Sequence, residues 1–161
     1  MGSTKRITIM AMLVAIGTIS SHLIWLPAGV AKAFPIQHSI NVIAGILLGP
    51  GPAVIVAFAI GLLRNLLGVG SLLAFPGGMI GAFFAGYLYS RYQKTWTAAL
   101  GEIFGTGVIG ALLSVPVARL LLQTSAAALA FVPPFLVSSI TGAAIGLAVV
   151  AALRKTASAR L

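Results

Sequence analysis

The sequence predicts an all-α integral membrane protein of six transmembrane helices with both termini cytoplasmic, and three observations carry that reading. First, 60% of the 161 residues are hydrophobic and only 7% are charged, against about 25% charged in ordinary soluble domains. Second, apolar runs separated by Gly- and Pro-rich turns recur at lengths near the roughly 20 residues that a helix needs to cross hydrocarbon. The length allows five or six such passes as one compact domain over residues 1–161, with no separate soluble unit. Third, ten Lys and Arg stand against a single acid, Glu102, for a formal charge of +9. On a soluble protein that excess would suggest nucleic acid; between apolar runs it follows the positive-inside rule.

Lys5 and Arg6 keep the start of the first helix, residues 7–25, in the cytoplasm, and Leu26-Pro27-Ala28-Gly29 ends it. That run is longer than the apolar core of a secretory signal, so it is read as a retained span despite the small-residue stretch Val30-Ala31-Lys32-Ala33. The second helix, 35–48, takes Pro35 as its first residue, where a missing N–H costs nothing. Gly49-Pro50-Gly51-Pro52 is expected to form a tight cytoplasmic turn. The third helix, 53–67, is short for a full crossing, and its outer end is expected to stop inside the protein. A loop over 68–76 precedes the fourth helix, 77–89, after which Arg91 and Lys94 return to the cytoplasm. The fifth helix, 96–122, starts at the interfacial Trp96 and should kink at Pro116. An outer loop over 125–132 leads to the sixth helix, 133–153, followed by Arg154, Lys155 and Arg160. Three cations, Lys32, Arg64 and Arg119, fall outside the cytoplasmic set.

Small residues at helical spacing, Ala11 with Ala15, Gly101 with Gly105 and Gly142 with Gly146, predict close helix packing. The Ala pair on the first helix is the one left open to serve another protein.

Counting about 1.5 Å of rise per residue places Arg64, His38, Asn41 and Glu102 in one layer, roughly 12–16 Å from the cytoplasmic ends. Ionisable groups at such depth face the interior and find partners. Arg64 and Glu102, the only opposite charges there, are expected to form a buried ion pair. The layer is either a polar staple between helices or the floor of a pocket. Above it, Lys32, Phe34, Gln37, Ser71, Phe75, Thr106, Phe135 and Ser139 combine aromatic walls with a few polar groups, as a small-molecule pocket open to the outside does. His22 is read as interfacial.

Chemistry has little to work with. With no Asp and one Glu there is neither a carboxylate pair nor a Ser-His-Asp triad, and two His with one Glu lack metal-ligand spacing. No Cys is present, and no Gly-rich loop with Lys for phosphates. Any ATP used must be bound by another subunit.

The run Phe34-Pro35-Ile36-Gln37-His38 with Asn41, Leu48-Gly49-Pro50, Arg64-Asn65-Leu66-Leu67-Gly68, Leu73-Ala74-Phe75-Pro76-Gly77, Met79-Ile80-Gly81, Gly101-Glu102 with Gly105-Thr106-Gly107, and Val132-Pro133-Pro134-Phe135 together resemble the ThiW family. These are S components, the substrate-binding subunits of energy-coupling factor (ECF) transporters, assigned to the thiazole precursor of thiamine. The resemblance covers nearly the whole chain. It implies the six-helix S-component fold in the plasma membrane of a prokaryote, with an outward pocket roofed by the loop between helices 1 and 2. It implies docking on a transmembrane coupling subunit driven by two ATPases, with toppling to release substrate inside, and no cofactor or enzymatic activity in the chain itself. The docking motif of such subunits, Ala-x-x-x-Ala, maps onto Ala11 and Ala15. For the implied ligand, hydroxyethylthiazole, Phe75 and Phe135 are placed to sandwich the ring, and His38, Asn41, Asn65 or Ser139 to hydrogen-bond it. Sparse external charge, with Lys32 alone freely placed, argues against a phosphorylated ligand. The alternatives are an S component for another small vitamin or metabolite, and a small membrane enzyme or channel built on His38, Arg64 and Glu102.

Overall fold

A computed structural model describes residues 2–28, 31–121, 123 and 128–158. Six helices form as the apolar runs predict: α1 Ser3–Leu23, α2 Pro35–Leu48, α3 Pro50–Leu66, α4 Ala74–Tyr92, α5 Thr95–Leu121 and α6 Val132–Ser158. Their boundaries shift where proline was read as a break. Only Gly49, at φ 83°, breaks the chain between α2 and α3. Pro50 and Pro52 fall in the first turn of α3, and Pro76 in the first turn of α4, positions whose N–H has no helical partner to lose. Pro116 is likewise carried within α5, which continues to Leu121.

Two features were not foreseen. Between α1 and α2 the chain forms a small antiparallel hairpin, β1 Leu26–Ala28 and β2 Ala31–Ala33, with Leu26 opposite Ala33 and Pro27 opposite Lys32. Within α5 the segment Gly105–Gly110 winds as a π-helix, a local widening that recurs at functional sites.

Six alternating passes put the cations of the loops and helix ends together. Lys5 and Arg6 begin α1, Arg91 and Lys94 flank the turn from α4 to α5, and Arg154 and Lys155 lie near the end of α6. There Arg154 Nη2 donates to Tyr89 Oη at 3.0 Å, joining α6 to α4. Arg160 lies outside the described residues, as do several positions of the expected 125–132 loop. At the opposite, hairpin end are Lys32 and the exposed Arg119.

The core is built from aliphatic residues of five helices, Leu13, Ile40, Ile43, Val56, Ile60, Ala82 and Val150 among them. Outward stand Ile7, Met12, Ile55, Phe83 and Leu120, the apolar coat that a bilayer accepts. Because lipid is as apolar as the core, helices in a membrane associate through close packing rather than hydrophobic burial. Glycines provide it. A Cβ on Gly105 would meet the Cα of Gly81 at 2.9 Å, and those on Gly110 and Gly101 would strike the backbones of Gly77 and Phe84, so α5 lies antiparallel against α4 along three contacts. Gly142 and Gly146 do the same for α6 against Pro35, His38 and Ser39 of α2. Gly101→Val is therefore expected to cost about 3 kcal/mol or more, since backbone at Phe84 cannot yield as a side chain does. Thermal unfolding in detergent checks this, and an unchanged midpoint would rule out the tight α4–α5 contact.

Candidate functional site

The short α2 and α3 determine where the site lies. Their 14 and 17 residues span only about 21 and 25 Å at the helical rise, less than the roughly 30 Å of hydrocarbon. Around their ends at the hairpin side is a cavity of about 540 Å³, within the range of small-molecule sites.

Its floor is organised by Glu102, which has no exposed surface. Glu102 Oε1 accepts from His38 Nδ1 at 2.6 Å and Asn41 Nδ2 at 3.2 Å, and lies 2.8 Å from Thr106 Oγ1. Asn41 Nδ2 also lies 3.0 Å from Gly78 O, and Thr106 Oγ1 3.0 Å from Gly77 O. The cluster thus ties α2, α4 and α5 together, and the absence of a Cβ at Gly81 makes room for Glu102 and Thr106.

Beside this cluster Arg64, 2% exposed, donates through Nη1 to Gln37 Oε1 and through Nη2 to Val69 O at 3.4 Å. Its guanidinium lies 3.8 Å over the ring of Phe34, a cation–π contact. The wall after α3 is a turn closed on Arg64 O, which accepts from Val69 N and Gly70 N at 3.0 and 2.9 Å. Gly68, at φ 74°, permits the reversal. Asn65 Nδ2 braces the same turn through Gly61 O at 2.8 Å and Ser71 O at 3.2 Å. Over the cavity, Lys32 Nζ of the hairpin sits 4.3 Å from the Trp25 ring. Phe34 N donates to Ser138 Oγ at 2.6 Å, fastening the hairpin's exit to α6.

Of the residues expected in the pocket, Lys32, Phe34, Gln37, His38, Ser71 and Phe135 line the cavity. The others are placed elsewhere. Asn41 and Thr106 turn to Glu102 and the α4 backbone, and Asn65 holds the turn. Phe75 packs on Phe58 and Gly61 rather than opposite Phe135. Ser139 Oγ is 3.3 Å from Leu136 O, while the preceding Ser138 faces the cavity. The expected Arg64–Glu102 ion pair is replaced by two separate arrangements: the ion-pair geometry of Glu102 is with His38, and Arg64 rests on neutral acceptors. Residues of the lining that the sequence did not point to include Ser21, His22 and Trp25 of the first helix and its exit, and Pro134. For α1 the signal was present: Gly17, Thr18 and Ser21 share its buried face, and His22, read as interfacial, follows directly.

An apolar six-helix bundle around a cavity with aromatic walls and a polar floor is the architecture of a membrane protein that carries small molecules. Residues 7–156 match the family described as thiamine-precursor transporter protein, ThiW. The chain belongs to that family, as its motifs suggested. No curated protein matches it.

Proposed function

We propose that this protein is the substrate-binding S component of an ECF importer, capturing hydroxyethylthiazole from outside a prokaryotic cell and delivering it through a coupling subunit and two ATPases. The observation that supports this most directly is the cavity at the hairpin end, remote from the end bearing six cations. Under the positive-inside rule the cation-rich end is cytoplasmic, with both termini, and the cavity opens outward. Trp25, Phe34 and Phe135 offer faces to a flat heteroaromatic ring. With Nδ1 donating to Glu102, a neutral His38 keeps Nε2 as an acceptor for the ligand's hydroxyl. The sequence carries no Gly-rich phosphate loop with Lys for a nucleotide, so this reading assigns the driving ATPases to partners, which α1 would meet through Ala11 and Ala15. Both lie exposed on that helix.

Purified protein in detergent is expected to bind radiolabelled hydroxyethylthiazole saturably. His38→Ala should weaken that binding by about tenfold, the loss of one buried hydrogen bond. Well-folded protein with no saturable binding of any thiazole would overturn the assignment.

A further inference from the structure

Arg64 presents an unbalanced charge. The chain has one acidic side chain, Glu102, and that carboxylate is held by His38, Asn41 and Thr106. No side-chain carboxylate remains for Arg64. Its acceptors are an amide oxygen of Gln37 and a peptide oxygen of Val69, both neutral, while Nε is buried with no partner among the described residues. A guanidinium cannot shed its proton to escape burial as a lysine does. A buried cation without a counter-charge is costly in any interior and more so within a membrane protein. Arg64 nevertheless lines the cavity, together with Lys32, His22 and His38, and no acidic side chain lines it.

We propose that the missing counter-charge is supplied by the ligand: the site takes a small heteroaromatic ring carrying an oxyanion, a phosphate ester on its hydroxyethyl tail or a ring carboxylate, in preference to the neutral alcohol. This rests on the thiazole-binding reading and reverses the expectation drawn from sparse external charge, because the charge that matters is buried rather than external. Arginine suits the task, since its planar fork matches two oxygens of a carboxylate or phosphate. The Phe34 ring beneath the guanidinium fixes its plane without supplying a competing anion. Lys32, stacked on Trp25 in the hairpin, adds a second cation over the bound molecule.

The test compares three probes on purified full-length protein by calorimetry: hydroxyethylthiazole, its phosphate monoester, and 4-methylthiazole-5-carboxylate. At least one anionic probe is expected to bind about tenfold or more tightly than the alcohol, as a charge-assisted hydrogen bond provides, and the two anions distinguish phosphate from carboxylate. Arg64→Gln should erase that discrimination. If Arg64→Gln does not fold, Lys32→Gln carries the variant arm and should narrow the discrimination, while the wild-type comparison stands by itself. An alcohol that binds as tightly as both anions overturns the proposal and leaves the thiazole assignment intact. Failure of all three probes overturns both.

Discussion

Glu102→Ala is expected to destabilise the protein by about 3–5 kcal/mol, since the buried donors of His38, Asn41 and Thr106 lose their shared acceptor at about 1–3 kcal/mol each, and to abolish ligand binding with it. Three side-chain donors from two helices converge on Oε1 of this residue, so its loss orphans a network rather than one bond. Glu102→Gln keeps an acceptor oxygen in the same place and should lose about 1–2 kcal/mol. Double-mutant cycles separate the pairings. His38→Ala combined with Glu102→Ala should cost clearly less than the two singles summed, whereas Arg64→Ala combined with Glu102→Ala should add to within about 0.5 kcal/mol, as sites without shared partners do. Thermal unfolding of all six variants in one detergent provides the numbers. Coupling between 64 and 102 in place of 38 and 102 would show that the charges pair after all.

Why the sequence suggested the other pairing is instructive. Rise along a helix gives depth but not direction, and Arg64 and Glu102 share a depth. Direction comes from the roughly 100° between consecutive residues. Gln37 and His38 are adjacent and so turn to different neighbours, one to Arg64 on α3 and the other to Glu102 on α5. Asn41, three residues on, returns to the side of His38 and meets the same carboxylate. The same geometry separates Ser138, in the cavity, from Ser139, against its own helix. The helices were legible because apolar runs and Gly49 marked them, and their ends were misplaced where proline sat in a first turn. Strands of three residues are too short to show alternation, so the hairpin that covers the site left no periodic trace. Composition alone limits the buried carboxylates to one, Glu102, but which donors hold it depends on helix rotation and was not legible.

If the proposed coupling subunit docks on α1, Ala11→Trp with Ala15→Trp is expected to abolish co-purification with it and uptake of the ligand by cells, while ligand binding by the isolated protein stays within about twofold. Of the three pairs of small residues singled out above, the structure uses two internally: Gly101 and Gly105 bring α5 onto α4, and Gly142 and Gly146 bring α6 onto α2. The third pair, Ala11 and Ala15, stands exposed on α1. At about 100° per residue Ala15 lies some 200° from the buried Leu13, and both alanines are exposed on the flank of the face that α1 turns to its own bundle. α1 also buries the smallest share of its span among the three long apolar helices, 22% against 44% and 33%. Small side chains on such a face let another helix approach closely, and indole rings hold it away. Lipid accepts a tryptophan there as readily as it accepts the neighbouring Met12 and Ile16, so folding and binding should survive. Ile55→Trp, on the exposed side of α3, should leave the complex intact. A double tryptophan variant that still co-purifies would place the docking surface elsewhere, because a close helix contact cannot form across two indoles.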